Sequence, residues 1–281
     1  PGGGRCSTPV LAGGRIYVTS ATQALEEYNA TVCLDALTGK EIWRTKMKYS
    51  INSGPAVTSN AVGIVDQFDR VYSLDAGTGQ EIWQISGIRG TYGNRTGESG
   101  MITAADGVFY AGEGYPMPAR ERRIVWKGPS AGSVGPVAVA GDRVLDGGYG
   151  AVHCLNRADG AVLWKYVHGT YHACMLLGDL AVVSGAAIFS AADGKELRRT
   201  GLERDGIACA ASVDGKTLFG NSGPWLTAVN VEDGKMAWRF DAEKVGFAGP
   251  LTVAGGHVWF SGRDRALHAH SAADGKEAGV V

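Results

Sequence analysis

The chain has 281 residues, and its 27 Lys and Arg against 28 Asp and Glu leave a net charge of -1, which disfavours nucleic acid as a partner. Its 43 glycines are roughly twice the usual share of about 7%, while 20% charged residues and only 9 prolines argue against a disordered chain. No apolar run approaches the roughly 18 residues of a membrane-spanning helix, so no such segment is expected.

The predicted elements are short strands joined by tight turns. Residues 15–18 (RIYV), and later residues 143–145 (RVL), are short stretches that are apolar after their first residue. They are bounded by Gly-Gly, Gly-Asp or Asp-Gly pairs, which is typical of β-hairpins. No window sustains helical periodicity over three turns, so the sequence predicts an all-β class.

A repeat of about forty residues organises the chain. Residues 33–43 read CLDALTGKEIW and recur as SLDAGTGQEIW at 73–83 and as CLNRADGAVLW at 154–164. Weaker copies centre on Gly194, Gly234 and Gly275, and near residues 122–126 the tryptophan persists without the turn. A second element lies upstream of each copy and marks the start of seven repeats, near Thr8, Gly54, Gly100, Gly135, His172, Cys209 and Gly249.

Short strands at this spacing, with one tryptophan per unit, favour a β-propeller of four-stranded blades, because one such unit cannot bury its faces alone. The motif of Asp, Thr-Gly-Lys and Trp resembles the repeat of quinoprotein-type, PQQ-like β-propellers, and the resemblance covers nearly the whole chain. We therefore expect a single propeller domain over residues 1–281. The resemblance implies that tryptophans pack between blades, namely Trp43, Trp83, Trp126, Trp164 and Trp238.

Two blades lack this tryptophan, and the number of blades stays open at this stage. The fifth blade has Arg198 at that position and the seventh has Gly279, so these two junctions are expected to be looser. The chain begins at Pro1 without an initiator Met or a signal sequence, which suggests a processed form or a fragment. Either residues 277–281 complete a seventh blade, or the chain is part of an eight-bladed propeller.

The resemblance raises the question of an enzyme, because dehydrogenases of this family hold a quinone against a vicinal disulfide beside a calcium ion. The cysteines of this sequence are odd in number and none are adjacent, and the long insertions that build such a site are missing. We therefore expect no catalytic residue, no PQQ, no calcium and no other metal. A PQQ-dependent dehydrogenase-like or other redox domain, or an accessory propeller of a larger enzyme, is the alternative.

Two local patterns have ordinary structural interpretations. Residues 128–132 match GxSxG, but no helix follows them, so a loop between blades is expected. His268 and His270 alternate on a strand and could serve a metal, yet they replace ordinary packing residues of the repeat and lack an evident third ligand. Cys33 and Cys154 share one repeat position and are expected to be buried and too far apart to bridge.

Binding residues are expected on the loops that join the outer strand of one blade to the inner strand of the next. Lys46, Lys48 and Tyr49 lie on the first of these loops. His172 and Cys209 would lie near the channel mouth, as a small-ligand or metal pocket or simply as channel lining. The candidate residues for binding a protein partner or small molecule are Arg89, Tyr92, Asn94, Arg95, His168, Tyr171, His172 and Cys209.

The sequence thus favours a non-catalytic, cofactor-free scaffold that presents its loops to a protein or ligand. In this it is similar to the family's outer-membrane assembly propellers, which scaffold a protein complex. That resemblance implies a periplasmic, bacterial protein.

Overall fold

The structure is a computed structural model that describes residues 5–21, 29–51, 54–88, 102–112, 115–129, 137–148, 150–167, 174–183, 187–200, 202, 209–212, 214–247 and 251–280. Within these ranges every regular element is a β-strand, so the prediction of an all-β chain is confirmed. None of the residues described forms a helix able to cross a membrane.

The described strands form seven antiparallel sheets that follow one another along the chain. The first three sheets consist of β1 (Arg5–Cys6), β2 (Val10–Ala12), β3 (Arg15–Ala21), β4 (Ala30–Asp35) and β5 (Glu41–Lys46); β6 (Ala56–Val57), β7 (Ala61–Val65), β8 (Arg70–Asp75) and β9 (Glu81–Ser86); and β10 (Ile102–Ala105), β11 (Val108–Ala111) and β12 (Tyr115–Pro118).

The last four sheets have four strands each. They consist of β13 (Ala138–Ala140), β14 (Arg143–Gly147), β15 (Ala151–Asn156) and β16 (Val162–Val167); β17 (Cys174–Leu177), β18 (Leu180–Val183), β19 (Ala187–Ser190) and β20 (Glu196–Arg199); β21 (Cys209–Ala211), β22 (Thr217–Ser222), β23 (Trp225–Asn230) and β24 (Met236–Asp241); and β25 (Thr252–Ala254), β26 (His257–Ser261), β27 (Leu267–Ser271) and β28 (Glu277–Val280).

In the second to seventh sheets the inner strand begins at, or up to three residues after, the start expected from the repeat, whereas in the first sheet it begins earlier, at Arg5. In the first sheet the inner strand is interrupted, because β1 and β2 both pair with β3 and are separated by residues 7–9. Pro9 lies in this interruption and has no N–H to donate to a neighbouring strand. The sheet therefore keeps the four-stranded plan with a broken inner strand.

In five of the described sheets the signature motif ends in an outer strand that carries one extra residue. In the first sheet Cys33 pairs with Trp43 and Leu34 pairs with Glu41, which leaves Ile42 unpaired in register. The same irregularity recurs in the second, fifth, sixth and seventh sheets. Because a β-bulge re-aims the side chains beside it, the bulge sets the direction of the residue at the tryptophan position.

Five tryptophans connect one sheet to the next through a single type of hydrogen bond. In each, indole Nε1 donates to the carbonyl of the residue that follows the third strand, so the polar group is satisfied where a large apolar ring is buried or, for Trp238, partly buried. The donor and acceptor pairs are Trp43 and Ala76 at 3.0 Å, Trp83 and Ala119 at 3.0 Å, Trp126 and Arg157 at 2.9 Å, Trp164 and Ala191 at 2.9 Å, and Trp238 and Ala272 at 3.1 Å.

The glycine of the signature turn makes room for the tryptophan of the preceding sheet. Gly79 has a φ of 74°, and a Cβ added there would lie 2.6 Å from Cε3 of Trp43. Gly160, Gly194 and Gly275 face an indole at similar distances and also have positive φ. Glycine is thus required twice at this position, by the left-handed backbone and by the ring beside it.

Arg198 occupies the tryptophan position of the fifth sheet and keeps the hydrogen bond without the ring. Its Nη1 donates to the carbonyl of Val231 at 2.8 Å, which is the position that accepts an indole N–H elsewhere. In the seventh sheet Gly279 lies on the exposed strand β28 and offers no side chain. The two positions that lack tryptophan therefore differ: Arg198 keeps the hydrogen bond between sheets, and Gly279 has no side chain to make one.

The third sheet lacks a regular outer strand because of two prolines in β12. The carbonyl of Pro116 accepts from the N–H of Val125 at 2.9 Å, so this side of β12 points outward, and Pro118 points the same way. Neither proline has an N–H for a fourth strand. Residues 124–126 take the place of the outer strand and position Trp126 for its hydrogen bond to the carbonyl of Arg157.

The chain consists of two compact units, Pro1–Leu163 with Val167–Thr170, and Trp164–Tyr166 with Tyr171–Val281. In the first unit, a core between the first and second sheets contains Trp43, Ile64 and Leu74. In the second unit, a core between the sixth and seventh sheets contains Phe219 and Phe260. The cores thus lie between neighbouring sheets.

Candidate functional site

Seven of the eight loop residues that the sequence nominated for binding lie outside the described residues. They are Arg89, Tyr92, Asn94, Arg95, His168, Tyr171 and His172. The main chain of Cys209 begins β21 and pairs with Gly220, but its side chain is also outside the described part. The pocket suggested around His172 and Cys209 therefore stays a prediction.

The described part of the loop face lies on the second sheet. We use the term loop face for the end of the sheet at which residues 47–51 and 87–88 meet the turn 66–69. The N–H of Gln67 donates to the carbonyl of Ser50 at 3.0 Å, and that of Ile88 donates to the carbonyl of Asp69 at 3.2 Å. Met47, Ile51 and Ile88 are buried beneath these bonds. The three segments thus form one anchored surface.

Four side chains on this surface form an aromatic and basic group, which we call the loop-face cluster: Lys48, Tyr49, Phe68 and Arg70. The rings of Tyr49 and Phe68 meet edge to face with centroids 4.7 Å apart. The guanidinium carbon of Arg70 lies 3.7 Å from the centroid of Tyr49, and Lys48 Nζ lies 5.3 Å from it. Both distances are in the range of cation–π attraction.

A buried carboxylate holds the cluster in place. Asp66 is 3% exposed, and its Oδ1 accepts from the main-chain N–H groups of Phe68 and Arg70. Its Oδ2 accepts from the Tyr72 hydroxyl at 2.9 Å and lies 2.9 Å from Arg70 Nε. Burial, followed by this bond to Asp66, raises the pKa of Tyr72 above its usual value, so the hydroxyl stays a donor. Asp66 thus orders both the turn and the arginine.

Two basic side chains lie beside the ring of Tyr49 in the cluster. The Arg70 guanidinium, and next the Lys48 ammonium, hold the pKa of Tyr49 below its usual value. Asp66 compensates Arg70 from within the fold, with a side chain only 1% exposed. The surface therefore presents aromatic rings and cations rather than the carboxylate.

The sequence placed Lys48 and Tyr49 on this face but did not single out Phe68, Asp66 or Arg70. Their turn lies between the second and third strands, outside the repeated signature. The sequence signal that could have identified this site is Phe68, an aromatic residue between Gln67 and Asp69 in an otherwise polar turn.

The second unit carries a comparable but smaller pair at the turn between β22 and β23. The guanidinium carbon of Arg239 lies 3.9 Å from the ring centroid of Trp225. The indole is partly buried and the arginine is exposed. An aromatic residue held by an arginine thus occurs on the same type of turn in both units.

His268 and His270 pack as side chains of the seventh sheet. His268 Nε2 lies 3.0 Å from Asp264 Oδ2, and His270 Nδ1 lies 3.0 Å from the carbonyl of Gly275. Both imidazoles stack on Phe260, with interplanar angles of 15° and 20°. In the part of the chain that the structure describes, no group of three His, Cys, Asp or Glu side chains could hold a metal ion.

The opposite end of the first three sheets carries a polar cleft of about 830 Å³. Its charged side chains already serve the fold. Arg15 Nη1 donates to the carbonyl of Ala76 at 2.8 Å, Asp75 is 2.8 Å from Arg120, and Asp106 is 2.8 Å from Arg157. The cleft therefore contributes contacts between blades, and the loop face is the stronger candidate for partner binding.

A quinone site would require a vicinal disulfide and carboxylates for calcium. Of the described cysteines, Cys33, Cys154 and Cys174 are not in disulfides and lie in three different sheets. These residues do not fit that arrangement. The expectation that no quinone or calcium is bound stays a prediction.

The two buried cysteines are expected to resist alkylation in the folded protein. Cys33 and Cys154 are 0% exposed, and burial raises the pKa of Cys33 above its usual value and that of Cys154 to about 11. Because the thiolate is the nucleophile, iodoacetamide at about pH 8 should leave both unmodified until urea unfolds the chain. Peptide mass spectrometry measures this, with the partly exposed Cys174 as the internal control. Labelling of Cys154 as fast as Cys174 would contradict the prediction.

The raised pKa of Cys154 also has a consequence for stability. A thiol that ionises more readily in the unfolded chain contributes stability below the unfolded pKa near 9, and this is lost as pH rises through about 11. Cys154→Ala should therefore flatten the alkaline decline of the urea midpoint.

The signature turns, the bulged outer strands and the ring-to-carbonyl bonds between sheets define a β-propeller of PQQ-like repeats with seven recognisable blades. The chain belongs to the family described as outer membrane protein assembly factor BamB, whose model matches residues 1–115 and 183–278. No curated protein sequence matches the chain.

Solved structures show the same fold at low sequence identity. BamB from Moraxella catarrhalis is 14% identical with a TM-score of 0.73, over 98% of this chain and 84% of that one. The C-terminal WD40 domain of Sif2 is 12% identical with a TM-score of 0.73, over 95% of this chain and 80% of that one. The quinohemoprotein alcohol dehydrogenase ADHIIG from Pseudomonas putida HK5 is 12% identical with a TM-score of 0.70, over 98% of this chain and 66% of that one.

Proposed function

We propose that the chain is a non-catalytic propeller scaffold that acts in outer membrane protein assembly and binds a protein partner through its loop face. Membership of a family described by that process supports the first part. The location that fits this role is the extracytoplasmic side of a bacterial cell. The observation that carries the second part is the loop-face cluster.

The cluster has the composition and rigidity of an interface anchor. Phe68 is 54% exposed, yet Tyr49 and the turn held by Asp66 fix its position. Aromatic residues and arginine are enriched among the residues that dominate binding energy. A side chain that is already ordered loses little entropy when a partner covers it. The exposed ring of Phe68 is therefore better suited to contacting a partner than to packing in the hydrophobic core.

Phe68→Ala is expected to weaken partner binding by roughly tenfold or more while changing the thermal midpoint little. The loss reflects removal of an anchor, since truncation of such residues commonly costs about 2 kcal/mol. The small stability effect reflects the exposure of the ring. Titration of the purified partner and a thermal scan measure the two quantities. Leu37→Ala is the matched control, because Leu37 is 96% exposed at the opposite end of the first sheet.

The partner itself can be identified by photo-crosslinking in the organism that carries the protein. A benzophenone amino acid at position 68 should form an adduct with a component of outer membrane protein assembly, and the same group at position 37 should not. Adducts shared equally by both positions, or absent from position 68, would contradict the proposed function.

A further inference from the structure

We propose that the loop-face cluster recognises an acidic side chain two residues away from an apolar one in an extended segment of a protein partner. This rests on the proposed function and adds the chemistry of the segment bound. It follows from the exposed ring, from the sign of the charge around it and from the spacing of the two.

The apolar half of the recognition is the ring of Phe68. It meets the ring of Tyr49 in an edge-to-face contact, and 54% of the residue remains exposed. Arg70 lies 5.4 Å from its centroid and 3.7 Å from that of Tyr49, so the arginine supports both rings from the fold side. An aliphatic or aromatic side chain of a partner can cover the exposed remainder, which gains the free energy of apolar burial.

The acidic half follows from the charges that surround this ring. Lys46 and Lys48 are exposed, whereas the carboxylate that compensates Arg70 is buried. Asp69, in the same turn, is only partly exposed. The lowered pKa of Tyr49 agrees with a positive potential at the surface. A carboxylate is the complementary group, because like charges across an interface are disfavoured and opposite charges fix the register.

The spacing between the two halves fits an extended chain. Lys48 Nζ is 5.3 Å from the centroid of Tyr49, which is 4.7 Å from that of Phe68. The ammonium and the ring of Phe68 are therefore at most about 10 Å apart, which two to three residues of a strand span at about 3.3 Å each. Only side chains two residues apart share a face of a strand, at about 7 Å, which is within this limit. The segment recognised thus has its carboxylate two residues from its apolar side chain.

The test uses the full chain and fluorescein-labelled peptides of about ten residues. The first peptide has a pair of aspartates, of which the second lies two residues before a leucine. A second peptide has asparagines in place of the aspartates, and a third has serine in place of the leucine. Anisotropy titration at low salt should show about tenfold tighter binding for the first peptide than for either analogue. The preference over the asparagine peptide should shrink at about 0.5 M salt, where exposed charges are screened.

Lys48→Glu should reduce binding of the aspartate peptide about tenfold and leave the asparagine peptide within twofold. Lys40→Glu is the control, because Lys40 is an exposed lysine at the opposite end of the first sheet. Matching thermal midpoints for the two variants would show that both are folded.

Equal binding of the aspartate and asparagine peptides, or no effect of Lys48→Glu, would overturn the acidic preference. If Phe68→Ala nonetheless weakened binding of the purified partner by roughly tenfold or more, the proposed function would stand without the acidic preference. Unchanged partner binding in Phe68→Ala would instead overturn the proposed function.

Discussion

Gly79→Ala is expected to destabilise the protein by about 2–5 kcal/mol, and Gly39→Ala by only about 1–2 kcal/mol. Both glycines occupy the same position of the signature turn, with φ of 74° and 68°. A Cβ at Gly79 would lie 2.6 Å from the Trp43 ring and 2.7 Å from Thr45 Oγ1, whereas a Cβ at Gly39 would have nothing within 4 Å. The shared cost is the left-handed backbone, and the difference is the cost of displacing the indole.

Urea unfolding of the two variants measures this difference directly. Gly160→Ala, which would place a Cβ 2.5 Å from Trp126, should behave like Gly79→Ala. Equal losses at positions 39 and 79 would show that backbone strain alone explains the glycine, and that the ring yields without cost.

Trp83→Ala is expected to destabilise the protein by about 3–5 kcal/mol. Trp83 is 4% exposed, packs with Phe109 at a centroid distance of 6.3 Å, and is part of the core between the second and third sheets. Removing the ring leaves a cavity in the core between these two sheets. The free energy of unfolding in urea is the measurement.

Trp83→Phe separates the ring from its hydrogen bond and is expected to cost about 1 kcal/mol beyond the lost volume. The cost stays low because the carbonyl of Ala119 also accepts from the Ser73 hydroxyl at 2.6 Å, so it is not left unsatisfied. Trp259→Ala is the control, since Trp259 is partly exposed and donates only within its own hairpin. A loss at Trp83 no greater than that at Trp259 would contradict its role between sheets.

The repeat made the sheet structure predictable because each blade uses the same few residues for the same purpose. One position needs glycine for its backbone, another needs a large ring, and these requirements recur in phase along the sequence. What one blade does differently was harder to predict. Arg198 lacks the ring, but its guanidinium is long enough to reach the carbonyl of Val231, which a repeat alignment alone does not reveal.

The loop face was predictable as a region and not as a set of contacts. Tyr49 and Phe68 come from different segments, and the main-chain bond from Gln67 to Ser50 is one of the long-range contacts that bring those segments together. The support from Asp66 depends on its burial, which no local pattern of sequence encodes. Loops that do not repeat therefore carry little of their geometry in the sequence.

The prolines of β12 also disfavour aggregation of the protein through the edge of the third sheet. A sheet that ends on its third strand would normally present a row of unpaired N–H and C=O groups, on which a strand of another molecule can add and start aggregation. Pro116 and Pro118 supply no donor there, and their carbonyls already accept from Val125 and Glu121. The third sheet therefore lacks a regular outer strand without exposing an edge on which a strand of another molecule could pair.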